Sequence, residues 1–479
     1  MPDRIGGGDD SSEDEADEAL IKSQELLEAT FANRRPPTLR GRRPIGHQFH
    51  AWAVRGATVV TAQNHMHVWH PAQSGVPTSV LFPGNDHKVL SLEFRAADEA
   101  SPADDGRFVW AGTKEGHLFE VDTAELVVVG SRMMAHAYAV TEIKRVGRSM
   151  VTVDDSGRVL IWGQHDDPVA PNLVSCAPRT NRVADKQNFT AIVADELWTA
   201  SGPAASKGAT VAQLKAPTIR VYAPTATSAV DFCVTPKPLA FPETARLGAV
   251  TASAIVPDQA HLVYLGHEDG YISVWDRAAR ACTRIQRVAA YTITTMVGVG
   301  KRLWAGERTG IIHVFDVSTE AWTVAKAWRA HKEAVTKIAV DASSVWTDET
   351  LQVASSGADG TVAFWDGFLR DDWLDHELNL RQPEYCTYRK IRSLSISWNI
   401  DASRPTDLVG PPDNYEFLQQ ALTSVDSPDI ISIGFQEVID LENKKLTASK
   451  LNLHFLSPTC VLTLKLPLAC VLRRVAHPG

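Results

Sequence analysis

The chain has 479 residues, 44% of them hydrophobic and 22% charged, the make-up of a globular protein with room for about two to four domains. A net charge of −9 gives no overall pull toward nucleic acid. The six cysteines contain no CxxC pair, which excludes a compact zinc or dithiol site. With no apolar secretory segment near the acidic N-terminus, they point to a reducing, cytoplasmic setting.

Residues 1–46 read as a disordered tail, acidic first and then basic and Pro-rich. Asp9 to Glu18 is an acidic run that stays solvated, and Leu20, Ile21, Leu27 and Phe31 mark one apolar stripe. Arg34-Arg35-Pro36-Pro37 and Arg40-Gly41-Arg42-Arg43-Pro44 follow. A solvated linker is the expectation here. The functional alternative is a peripheral contact with an anionic membrane surface or a Pro-rich ligand for a protein partner.

From 48 to 368 the chain repeats itself. The unit is a hydrophobic strand, a turn with Gly, and a strand ending in an aromatic residue and often Asp. Its clearest copies are Gly357-Ala358-Asp359-Gly360-Thr361-Val362-Ala363-Phe364-Trp365-Asp366 and Glu268-Asp269-Gly270-Tyr271-Ile272-Ser273-Val274-Trp275-Asp276. Other copies end at Val68-Trp69, Val121-Asp122, Ile161-Trp162, Val221-Tyr222 and Phe315-Asp316. Seven endings at intervals of about 40 to 60 residues match seven four-stranded blades. Strand-like segments around Trp110, Trp198 and Trp304 precede three of the endings, and these indoles are expected to fill the spaces between blades.

The units resemble WD repeats, which implies an all-β seven-bladed propeller. In that family a His, a Ser or Thr, a turn Asp and the Trp form a buried hydrogen-bonded network. The last copy matches with His331, Ser355 or Ser356, Asp359 and Trp365. The third copy has His136 but Ser156 at the turn position, and the fifth has Asp269 and Trp275 with no matching His. A ring of this kind does no chemistry through these motifs. It presents loops to a partner that the sequence does not identify.

Residues 369–390 read as a polar linker, and then the period changes. Ser393-Leu394-Ser395-Ile396-Ser397-Trp398-Asn399-Ile400 alternates as a strand does. Pro412 and Asp413 open a helix with Tyr415, Leu418 and Leu422 on one face, and Ile430 to Phe435 is a short buried strand. A crossover between the two strands sets them parallel, with Asn399 and Glu437 at the same carboxyl end.

Two segments carry a second resemblance. Ser397-Trp398-Asn399-Ile400-Asp401 and Pro428-Asp429-Ile430-Ile431-Ser432-Ile433-Gly434-Phe435-Gln436-Glu437-Val438 are similar to the first two motifs of inositol polyphosphate 5-phosphatases. Residues 391–450 are thus identified as the N-terminal part of an α/β domain of the endonuclease/exonuclease/phosphatase superfamily. The resemblance implies Mg2+ held by Glu437, with Asn399 and Gln436 as polar supports of the catalytic site. It implies a phosphoinositide or inositol polyphosphate substrate, dephosphorylated at position 5. Magnesium takes hard oxygen donors, which suits a carboxylate there. Phe435 and Trp398 argue against the alternative of a nuclease from the same superfamily.

The family's later motifs are a Gly-Asp-x-Asn segment, a Trp-x-Asp-Arg segment and a Ser-Asp-His. None follows Glu437, after which only 42 residues stand. Trp275-Asp276-Arg277 and Asn85-Asp86-His87-Lys88 imitate two of them but lie inside the repeats. From 451 to 479 the text leaves the family pattern, and a premature end from a gene-model error is the expectation. The 479 residues are therefore expected to be inactive alone, with a non-catalytic WD-repeat scaffold as the alternative function.

Overall fold

The computed structural model describes residues 26–399 and 419–436, except residue 31 and the segments 46–50, 56–57, 71–76, 85–86, 185–186, 203–215, 229, 243–244, 342–343 and 346–350. The chain divides into two units, residues 1–378 and 379–479.

The first unit is built from seven antiparallel sheets. They cover 51–80, 89–132, 140–182, 189–222, 250–287, 293–329 and 335–366. The inner strand of each sheet lies beside the inner strand of the next, and that of the seventh beside that of the first, so the sheets form a closed seven-bladed propeller. All seven sequence endings fall on third strands: Met66–Trp69, Leu118–Asp122, Arg158–Trp162, Thr218–Tyr222, Tyr271–Asp276, Ile311–Asp316 and Thr361–Asp366.

Closure corrects the reading of residues 1–46 as a disordered tail. Leu39–Pro44 is the fourth, outer strand of the seventh blade, antiparallel to Thr361–Asp366, with Gly41 opposite Phe364 and Pro44 opposite Thr361. The seventh blade therefore joins the two ends of the ring, and unfolding it requires breaking a contact more than 300 residues apart in sequence. Arginines fit there because an edge strand exposes side chains along its outer side and charge discourages further pairing. Upstream, Asn33 bridges to Lys326 on the sixth blade's outer strand, and Leu27 N–H donates to the Arg287 carbonyl on the fifth. The acidic run 9–18 and most of the apolar stripe lie outside the described residues.

Between the blades sit separate apolar clusters. Trp110 packs with Val140, Ile143 and Leu160 between blades two and three, and its ring meets Trp162 edge-on at 5.4 Å. Trp198 joins Val250, Val263 and Trp275 between blades four and five. Trp304 joins Val335 and Val353 between blades six and seven. All three indoles are almost fully buried, as their placement in the repeats led one to expect. The ring's seam is sealed by Trp52, Val59 and Trp69 against Ala354, Val362 and Phe364. The fourth blade departs from the pattern, with three strands among the described residues. Its missing fourth place is taken by residues 232–239, whose backbone bonds to Ile219, Val221 and Ala223.

The linker at 369–390 is helical, over Arg370–Leu380 and Gln382–Tyr385. Asp371 and Asp372 in the first turn suit the positive end of the helix. Asp372 takes hydrogen bonds from Lys326 Nζ at 2.8 Å and Asn33 Nδ2 at 3.0 Å, and Asp371 one from Thr38 at 2.5 Å. Lys326 is only 1% exposed, so this pair ties the start of the helix to the sixth blade's outer strand, and Asn33 and Thr38 tie it to the N-terminal segment.

In the second unit Ser393–Asn399 and Ile430–Gln436 form one parallel pair. Residues 419–423 before the second strand are helical, with Leu422 buried. Pro412, Asp413, Tyr415 and Leu418 lie outside the described residues.

Candidate functional site

The parallel pair has one continuous register, from Ser393 opposite Ile430 to Asn399 opposite Gln436. Both strands run toward these last residues, so Asn399 and Gln436 stand level at the carboxyl end of the sheet, where open α/β sheets place ligands. Trp398 faces Phe435 one step earlier, with ring centroids 6.3 Å apart. Gln436 Nε2 donates to Ser397 Oγ at 3.2 Å, and its Oε1 is the acceptor end of the amide. At the opposite end Asp429 is held by the Arg389 guanidinium at 2.8 Å and the Arg392 amide at 2.9 Å. These contacts hold its carboxyl below the usual range. The amide oxygens of Asn399 and Gln436 are hard donors compatible with magnesium. Glu437, expected to supply the carboxylate, lies outside the described residues, as do Ile400 and Asp401. Among the described residues no group of three His, Cys, Asp or Glu side chains gathers around one point.

The seventh blade brings its expected residues together. The Ser355 hydroxyl takes the Trp365 indole N–H at 2.8 Å and meets His331 Nε2 at 2.8 Å. The other ring nitrogen of His331 lies 3.1 Å from Thr361 Oγ1 and 3.4 Å from Asp359. Asp359 in turn accepts from the Lys332 and Thr361 amides. Ser355 and not Ser356 holds the site. Gly357 is small for a reason, since a Cβ there would stand 2.6 Å from the His331 ring. Burial pushes the His331 imidazole below its ordinary pKa, against the pull of Asp359.

The third and fifth blades build the same network from shifted positions. In the third, Thr152 receives the Trp162 N–H at 3.2 Å and meets His136 Nε2 at 2.8 Å, while Asp154 takes the other nitrogen at 3.1 Å. Ser156, at the turn position, donates its amide and hydroxyl to Asp154. In the fifth, the expectation of no matching His is corrected. His267 meets Ser273 Oγ at 2.8 Å, and that hydroxyl takes the Trp275 N–H at 3.0 Å. Asp269 there accepts from the Gly248 amide. Asp154 and His267 each end the second strand of their blade, the place Gly357 occupies in the seventh. A polar residue ending that strand was the available signal.

The two imitations of catalytic motifs are not part of the parallel pair. Arg277 lies 2.6 Å from Asp195 and 3.4 Å from Glu196, and Asp276 caps the turn at Ala278 and Ala279. His87 rests on Pro83 and Phe119.

No family model matches the chain. Over 372 residues it is 34% identical to a probable inositol polyphosphate 5-phosphatase of Schizosaccharomyces pombe, an alignment covering 76% of this chain. The chain is homologous to that probable 5-phosphatase. It spans about 30% of that relative's length. A chain in the crystal structure of a mitotic checkpoint complex matches the fold at a TM-score of 0.50 and 16% identity, covering 71% of this chain and 99% of the other. That likeness concerns the propeller architecture alone. Of the two resemblances read from the motifs, the phosphatase homology and the seven-bladed ring are thus both in place.

Proposed function

We propose that this chain belongs to a magnesium-dependent phosphatase that removes the 5-phosphate from inositol polyphosphates or phosphoinositides. The propeller would set its location in the cytoplasm, through a protein partner and a peripheral membrane contact. The observation that carries the reading is the parallel register that sets Asn399 level with Gln436. Each then presents an amide at the sheet end, next to the position from which Glu437 would hold the metal. Bound magnesium would polarise the phosphoryl oxygen and offset charge developing on the leaving oxygen. The role of Asn399 and Gln436 is to fix the carboxylate and orient the phosphate, Gln436 being itself held by Ser397. Trp398 and Phe435 favour this substrate class over a nucleic acid.

The 479 residues carry two of the family's motifs, and turnover needs the later ones as well. We therefore expect this chain alone to act as a propeller scaffold. Phosphate release from a soluble inositol polyphosphate is the test, with and without magnesium. The 479-residue chain should release none above background, and a form extended to the relative's length should release it only with the metal. An extended form that releases none, or releases it equally in chelator, would refute the proposal.

A further inference from the structure

The central channel of the propeller holds a charged cluster that neither the repeat network nor the phosphatase motifs account for. Its cavity, of about 420 Å³, is bounded by the amino-terminal ends of inner strands from blades one, two, three and seven. Charge is confined to this side. Glu93 comes from the second blade, Glu142 and Lys144 from the third, and Lys337 from the seventh. The inner strands of blades four, five and six, Phe189–Val193, Val250–Ala254 and Ile293–Val299, carry no charged residue.

The four charges do not pair evenly. Lys144 Nζ lies 3.1 Å from Glu142. Glu93 accepts from the Phe94 amide. Lys337 Nζ donates to the Trp52 carbonyl at 2.9 Å and sits 5.3 Å from the centre of its ring, without a carboxylate at ion-pair distance among the described residues. An ammonium has three hydrogens, so two remain. Other half-buried cations of the ring meet carboxylates, as Arg107 does Asp122 and Arg280 does Glu196, or several carbonyls, as Arg132 does those of Leu173 and Cys176. The Ser91 and Thr141 hydroxyls on the cavity wall already donate to the carbonyls of Val140 and Val153. Arg55, on the first blade's inner strand, and Arg145, on the third's, are both engaged by Asp105, and Asp341, at the far end of the Lys337 strand, is buried.

We propose that the mouth of the channel is a binding site for a single carboxylate, held by Lys337 with Lys144 beside it, and supplied by a peptide side chain or a small organic acid. Lys337 has ammonium hydrogens left to donate, while the negative charges of Glu93 and Glu142 nearby disfavour a doubly charged phosphate more than a single carboxylate. Ala51, Trp52, Leu90, Leu92 and Ile143 give the wall an apolar share suited to the methylenes behind a carboxylate. Burial, and then the like charge of Lys144, push the Lys337 ammonium down to about 8. An anion bound against it favours the charged form, so binding takes up a proton and weakens as pH rises through that value. The inference is independent of the phosphatase reading.

Site-resolved acetylation of the intact 479-residue chain with N-hydroxysuccinimide acetate, read by mass spectrometry, tests it, because only the neutral amine reacts. Propionate, a monocarboxylate, should slow labelling of Lys337 about threefold at pH 7, the effect of a half-unit rise in its pKa. The exposed Lys332 should be unaffected. A peptide with an internal glutamate that protects equally assigns the site to a protein partner, and protection by the free acid alone assigns it to a small molecule. By calorimetry Lys337→Arg should keep the binding but lose the proton uptake, and Glu142→Gln should tighten it. Unchanged labelling with both the acid and the peptide, equal slowing by uncharged propionamide, or stronger protection by inorganic phosphate would overturn the proposal.

Discussion

The two units of the chain bury their strands to very different degrees. In the ring, third strands such as Thr361–Asp366 are buried at nearly every position, because blades cover both faces of each sheet. In the parallel pair, Ile430–Gln436 is exposed at every position, Ile430 by 51% and Phe435 by 49%. A βαβ unit normally hides both faces of its sheet. Stability in this molecule therefore resides in the ring, and the residues implicated in chemistry stand on a sheet that contributes little of it.

The sharpest way to break that contrast is to open the ring. Removing residues 1–44 deletes the outer strand of the seventh blade and the segment bonded to Lys326. We expect the melting temperature, by calorimetry, to fall by more than ~10 °C. A fall of only a few degrees would mean that closure does not depend on Leu39–Pro44. Limited proteolysis sharpens the same contrast without mutation. The described ring should persist as a resistant core ending near residue 380, while 390–436 is cut early.

Next in size is Asp372→Asn, which leaves the Lys326 ammonium buried without its carboxylate. It should cost about 3 kcal/mol by denaturant titration. Lys326→Met with Asp372→Asn together should recover most of that. Ser355→Ala strands both the Trp365 N–H and a His331 nitrogen, a loss of about 2 to 4 kcal/mol. Ser273→Ala should cost a comparable amount if the fifth blade's displaced network is a true equivalent. A near-zero cost there would make it incidental.

The smallest expected effect is with pH. His136, His267 and His331 are pushed below their ordinary pKa chiefly by burial. The unfolded chain thus binds protons on these rings that the folded chain does not. Stability is fully present above about pH 6.5, the unfolded value, and declines as pH falls below it. His331→Gln should flatten the decline between pH 6.5 and 5 relative to its own value at pH 8. A slope identical to that of the unmodified protein would remove His331 as a contributor.

How much of this was legible in the sequence follows from where the signals lie. The seven aromatic endings were readable because each combines an alternating strand with a ring that must be buried, a local pattern. The networks of blades three and five were obscured because Asp154 and His267 sit at a strand end and not at the familiar place, so matching by position failed where chemistry was kept. Leu39–Pro44 was hidden for another reason. Its hydrogen bonds come from residues 361–365, and Arg40, Arg42 and Arg43 with flanking prolines have the composition of a linker. Counting strands would have revealed it, since the seventh blade has only three before Asp366. The helix at Arg370–Leu380 lacks an apolar stripe, with Trp373, Leu374 and Leu378 exposed, so no periodicity announced it. The parallel pair with Asn399 at its carboxyl end was foreseeable from strand alternation and crossover handedness, whereas Glu437, expected beside it, lies outside the described residues. The channel cluster was not, because Glu93, Glu142, Lys144 and Lys337 meet only through ring closure.

The most direct measurement is magnesium-dependent phosphate release by the extended form carrying Glu437→Gln, beside the same form carrying Lys337→Met in the ring. Loss of the metal carboxylate should lower kcat by about a hundredfold or more with the melting temperature unchanged, while the ring variant keeps full turnover. Retained activity in Glu437→Gln would contradict the account.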